Sequence, residues 1–65
     1  MNLRQSERQL VQALWDGLSQ KEAADRLGLR PTQVYERLKV LKRRVGVLST
    51  IGLIRRCVQE GVLIP

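Results

Sequence analysis

The stretch from Ser19 to Pro31, SQKEAADRLGLRP, leaves this chain few choices of fold. Ser19 followed three residues later by Glu22 predicts a capping box, in which each side chain satisfies an orphan amide of a helix's first turn. Ala23, Ala24 and Leu27 fall at helical spacing, and Gly28 supplies the left-handed residue that stops the helix. Only Leu29 and Arg30 separate that stop from Pro31, whose fixed φ and missing N–H suit the first position of a new helix. The new helix places Val34, Leu38, Leu41 and Val45 at offsets of four, three and four, so one of its faces is apolar. Two helices joined by so short a turn, with glycine in it, have the outline of a helix-turn-helix. Ala24 is small where the two helices must cross, and Leu27, Leu29 and Val34 put apolar groups on either side of the turn.

A further helix is expected on each side. Ser6 with Gln9 forms a weaker capping box that would open the first helix, with Leu10, Val11, Leu14 and Leu18 as its apolar stripe and Gly17 as its stop. Leu3 is the one residue of the lead-in expected to turn inward, and Trp15 is expected to pack, filling volume that Ala23 leaves. Gly46 closes the third helix. Ser49 then caps a fourth running to about Glu60, with Gly61 as terminator. Ile51, Ile54 and Val58 are its expected core face, with Leu53, Arg56 and the edge of Cys57 turned outward. The apolar tail Val62, Leu63 and Ile64 is expected to fold back on the first helix. Gly52 is the one glycine that fits no stop. Strand alternation, repeats and linkers are absent from the pattern. The expectation is an all-α, four-helix domain containing a helix-turn-helix, a single domain over residues 1–65.

A chain of 65 residues buries only about 60% of the surface it exposes when unfolded, which leaves no room for a substrate-enclosing pocket. Its charge is unevenly placed. Residues 1–29 hold four cations and four carboxylates, whereas residues 30–65 hold eight cations against two carboxylates, so the whole surplus of +6 falls on the second part. That is the distribution of a phosphate-binding surface. The chain has no His, which removes Ser–His and Cys–His nucleophilic arrangements. One Cys and six scattered carboxylates give no metal-ligand spacing, and the five Gly form no phosphate loop, so no enzyme, metal or cofactor is expected. A lone Cys cannot form an internal disulfide, and neither a membrane span nor a signal-peptide core is present in the sequence. A cytoplasmic, nucleoid-associated location is expected.

In order along the chain, Glu7-Arg8, Gly17-Leu18-Ser19, Lys21-Glu22, Ala24, Leu27-Gly28-Leu29, Val34, Leu38, Leu41, Gly46-Val47 and Gly61-Val62-Leu63 resemble the LuxR-type (GerE-type) DNA-binding domain. The resemblance covers nearly the whole chain. It implies a bacterial or phage transcription regulator whose third helix enters the major groove and whose fourth helix pairs two copies. Departures are also plain. Gln33 stands where the family has Thr, and Arg37 stands where it has His, a substitution similar to the sigma-factor region that binds the −35 promoter element. Beyond residue 46 the match stays with the LuxR pattern. Thr50 replaces a basic residue, Ala23 a larger aliphatic, Trp15 a small residue and Cys57 an Ala.

At about 100° per residue, Thr32, Glu36, Lys39 and Arg43 lie opposite the buried stripe of the third helix, flanked by Tyr35 and Val40. The N-terminal half of a recognition helix reaches base edges, which makes Thr32, Tyr35, Glu36 and Lys39 the candidate readers. Lys39 could donate to guanine and Glu36 accept from a cytosine amino group; alternatively, the two merely pair along the helix. Lys42, Arg43 and Arg44, near the helix end where cations suit the dipole, are assigned to phosphates. Gln20 and Lys21, with the free amides at the start of the second helix, form a phosphate clamp. Arg37 sits at the edge of the stripe, with its stem packed and its head reaching the DNA backbone. Since the resemblance puts pairing on the fourth helix, Leu53, Arg56 and Cys57 are the candidate dimer surface, for a homodimer weak in solution and strengthened on DNA. Cys57 is more simply a small buried hydrophobe. Double-stranded DNA is the expected partner. A second reading is a protein-interaction module that binds RNA polymerase or another regulator, with Trp15 or Leu53 as anchor. Single-stranded RNA is disfavoured because Trp15 and Tyr35 are the only stacking aromatics. Neither a membrane nor a small-molecule ligand is expected. If the chain is complete, control must come from its abundance, its pairing or a partner.

Overall fold

Four glycines at positive φ divide the chain in the computed structural model, which describes residues 1–64. Gly17, Gly28, Gly46 and Gly61 follow the ends of α1 (Gln5–Trp15), α2 (Gln20–Leu27), α3 (Pro31–Val45) and α4 (Thr50–Gln59) respectively. All four ends are built alike. Behind each glycine an apolar residue donates its N–H back into the last turn: Leu18 to Ala13, Leu29 to Ala24, Val47 to Lys42 and Val62 to Cys57, at 3.1, 2.8, 2.9 and 3.0 Å. This is the Schellman arrangement, and its apolar residue is partly buried against the core each time. At Gly28, where φ is +69°, a β-carbon would strain the turn of the helix-turn-helix even though open space surrounds it.

Helix starts follow the sequence at three of four places. Ser19 Oγ accepts from the Glu22 N–H at 3.1 Å, and Glu22 Oε1 accepts from the Ser19 N–H at 2.9 Å, so the expected capping box is made. Pro31 opens α3, and the Arg30 N–H donates to Gln33 Oε1 at 2.9 Å. Ser49 Oγ accepts from the Gly52 N–H at 2.9 Å, which explains the odd glycine. A β-carbon at Gly52 would lie 3.2 Å from that hydroxyl and 3.5 Å from Val47 Cβ.

The start of α1 differs from the Ser6–Gln9 expectation. Arg4 is the cap residue, and Glu7 Oε1 accepts from its N–H at 2.8 Å. A carboxylate is a stronger acceptor than the Gln amide, and Glu7 gains a second partner from α3, so this register prevails.

Leu10, Val11 and Ala13 of α1, Ala23 and Ala24 of α2, Val34, Leu38 and Leu41 of α3, and Leu53 and Cys57 of α4 form the buried core. The α4 rotation corrects the sequence reading. Leu53 and Cys57 point inward with no exposed surface, while Ile51 is 72% exposed and Val58 45%. Ile54, partly buried, belongs to both possible stripes. Turning Ile51, Ile54 and Val58 inward would bring Arg55 to within roughly 70° of the core direction, at a desolvation cost that the observed rotation avoids. Trp15, expected to pack, is instead 42% exposed at the end of α1. The C-terminal tail does fold back on α1. Gln12 clasps the Ile64 backbone twice, donating from Nε2 to the carbonyl and accepting the N–H at Oε1, both at 2.8 Å. No helix among the described residues is long and apolar enough to cross a membrane.

Candidate nucleic-acid interface

Because Val34, Leu38 and Leu41 hold α3 to the core, the opposite face is committed to solvent, and Thr32, Tyr35, Glu36, Lys39 and Arg43 are all exposed there. Five cations and one carboxylate lie on this helix. Among the described residues the ion pairs are Met1–Glu60 at 3.2 Å and Arg44–Glu7 at 2.6 Å. Glu36 and Lys39 therefore do not neutralise each other along α3, and Arg37, Lys39, Lys42 and Arg43 keep their charge unpaired. Lys42 is half-buried and the others are exposed, so Arg37 is more open than an edge-of-core position suggested.

Arg44 is the exception. Its guanidinium donates to Glu7 Oε1, the carboxylate that also caps α1, and this joins the last turn of α3 to the first turn of α1. That hydrogen bond, chiefly, holds the Glu7 carboxyl below its usual range, with the Arg4 N–H adding and burial opposing. It raises Arg44 in turn. The phosphate role expected of Arg44 thus competes with an internal partner. Sequence reading missed this tie because its ends are 37 residues apart.

At the start of α2, Gln20 and Lys21 are exposed, and their backbone N–H groups have no acceptor within the described residues. The Ser19–Glu22 box satisfies the neighbouring amides and lowers the Glu22 pKa through the Ser19 N–H. This arrangement leaves donors for an anion beside Lys21.

The expected dimer surface does not assemble. Leu53 and Cys57 are enclosed in the core and only Arg56 of that trio is exposed. Burial also raises the Cys57 thiol pKa, as Glu60 does to a smaller extent. What α4 does present is an apolar groove lined by Ile51, Ile54, Arg55 and Val58 with Trp15 of α1.

The fold and this face define a small helix-turn-helix domain whose second motif helix carries an unpaired basic surface. Over 57 residues the chain is 33% identical to the transcriptional regulatory protein MctR of Rhizobium johnstonii. The aligned region is 88% of this chain and 27% of that protein, so the chain spans about a quarter of its relative's length. No protein-family model matches the chain, and no solved structure does.

Proposed function

We propose that this domain is the double-stranded-DNA-binding module of a transcriptional regulator, of LuxR (GerE) type, with α3 in the major groove. One observation carries the reading: Lys39 and Arg43 stand unpaired beside Thr32 and Glu36 on the free face of the second motif helix. The similarity to a protein named as a transcriptional regulator supports it. In this pose Thr32, Tyr35, Glu36 and Lys39 meet base edges, while Arg37, Lys42 and Arg43 meet phosphates on one side and Gln20 and Lys21 on the other. A lone module of this size makes few base contacts, so two copies act on an inverted repeat. The exposed groove of Ile51, Val58 and Trp15, rather than Leu53 and Cys57, supports the pairing.

Selection of bound duplexes from a random DNA pool, followed by salt titration on the winner, tests the proposal. An enriched sequence is expected, with log K falling against log salt by about 0.9 per phosphate contact. If no sequence is enriched and affinity stays constant with salt, the exposed groove and a protein partner become the better account.

A further inference from the structure

An open cleft separates the start of α1 from the middle of α3, with Arg4, Glu7 and Leu10 on one wall and Glu36, Arg37 and Val40 on the other. Arg4 is badly placed for the fold itself. It occupies the cap position of α1, where Ser, Thr, Asp and Asn are favoured because their oxygens accept from the first turn. A guanidinium has no acceptor to offer, and its charge lies at the positive end of the helix dipole. No salt bridge compensates it among the described residues, and none compensates Arg37 across the cleft. Glu7 cannot serve both, since Arg44 and the Arg4 N–H already occupy its Oε1.

The position of the cleft says what would suit it. An α-helix is about 10–12 Å across and the DNA major groove is about 12 Å wide, so a helix lying in the groove turns its two flanks to the two phosphate walls. Arg37 follows Glu36 by one residue, about 100° round the axis, which puts it on a flank when Glu36 faces the groove floor. The cleft shows that this is the flank beside α1. Leu10 and Val40 give it an apolar base, and its cations come from two elements far apart in sequence.

We propose that this cleft seats a backbone phosphate of the bound duplex between the guanidinium groups of Arg4 and Arg37, making α1 a third DNA-contacting element beside α2 and α3. The inference rests on the DNA-binding reading above. Glu36, pointing to the base edges, leaves the phosphate to the two arginines.

Salt titrations of the full chain test it, on the selected duplex and on an unrelated one, for wild type, Arg4→Gln and Arg4→Lys. Arg4→Gln should weaken both duplexes by the same factor, roughly tenfold at low salt, and reduce the slope of log K against log salt by about 0.9. Arg4→Lys should restore most of the slope. Thermal melting of Arg4→Gln without DNA should be no lower than wild type, because a cation leaves the positive end of α1. An unchanged slope in Arg4→Gln, with wild type salt-dependent, overturns this inference alone. A lowered melting temperature with an unchanged slope does the same by making Arg4 structural. A wild-type affinity insensitive to salt overturns the DNA-binding reading and this inference together.

Discussion

Replacing Leu53 and Ile51 separately by Ala measures which way α4 faces. Leu53 is fully buried, and truncating such a residue removes its transfer free energy and leaves a cavity, at a cost of about 2–5 kcal/mol. Two features push toward the upper part of that range. Its inward neighbour Cys57 is small and also fully buried, and the facing Ala23 and Ala24 have no side chain with which to fill a void. At ~0.05–0.15 kcal/mol per residue, a 65-residue domain has only about 3–10 kcal/mol of stability, so the variant gives up a large fraction of it. A loss of ~3 kcal/mol corresponds to a melting temperature lower by roughly 12–24 °C in a domain of this size. Ile51, at 72% exposure, should cost less than about 0.5 kcal/mol when truncated. Urea and thermal unfolding followed by circular dichroism at 222 nm, at one protein concentration, give both values. If Ile51→Ala is the damaging change and Leu53→Ala is silent, α4 is turned by roughly one residue and the core described above is wrong.

Two other results follow from the same contacts. Glu7 has a folded pKa below its unfolded value of about 4.3, so its contribution is present above that pH and is lost as pH falls through the folded value. Glu7→Gln should therefore destabilise the domain at pH 7 by about 1 kcal/mol or less, given the exposed Arg44 end, and should melt with a shallower acid dependence than wild type. Part of the dependence should remain, because Glu22 is shifted in the same direction. On DNA, Lys39→Ala should reduce discrimination between the selected and unrelated duplexes by about 1–3 kcal/mol, whereas Lys42→Ala should weaken both alike. Exchange of those two outcomes in competition binding would show that α3 lies in the groove at a different rotation.

Helix boundaries were legible wherever a residue type admits one conformation. Gly28 and Gly46 at positive φ, Pro31 at a first helical position, and Ser19 and Ser49 as caps all act through their own neighbours, so a local pattern suffices. The failures lie where two local patterns were equally good. Ser6–Gln9 and Arg4–Glu7 are the same spacing shifted by two, and the choice depends on Arg44, which sequence proximity does not reveal. Along α4, Ile51-Ile54-Val58 and Leu53-Ile54-Cys57 are both apolar stripes at helical spacing. The choice between them depends on Arg55, which the first stripe drags toward the core and the second keeps in water. For the candidate interface, the exposed face of α3 was readable from periodicity alone. The Arg4–Arg37 cleft was not, because α1 and α3 meet only through the packing of the whole core.

The turn between α2 and α3 also limits how this domain can vary in length. Leu29 is already committed, donating to Ala24 at 2.8 Å, and Arg30 is already the cap of α3, so no residue of the turn is spare. One residue inserted there would rotate α3 by about 100° against α2 while leaving each helix intact. The apolar stripe of Val34, Leu38 and Leu41 would then force either a shifted register or a broken cap. Leu48, wholly exposed between Gly46 and the Ser49 cap, has no such double duty. Insertions and deletions compatible with this fold therefore gather between α3 and α4, and the spacing from Gly28 to Pro31 is the fixed length by which distant versions of the domain can be aligned.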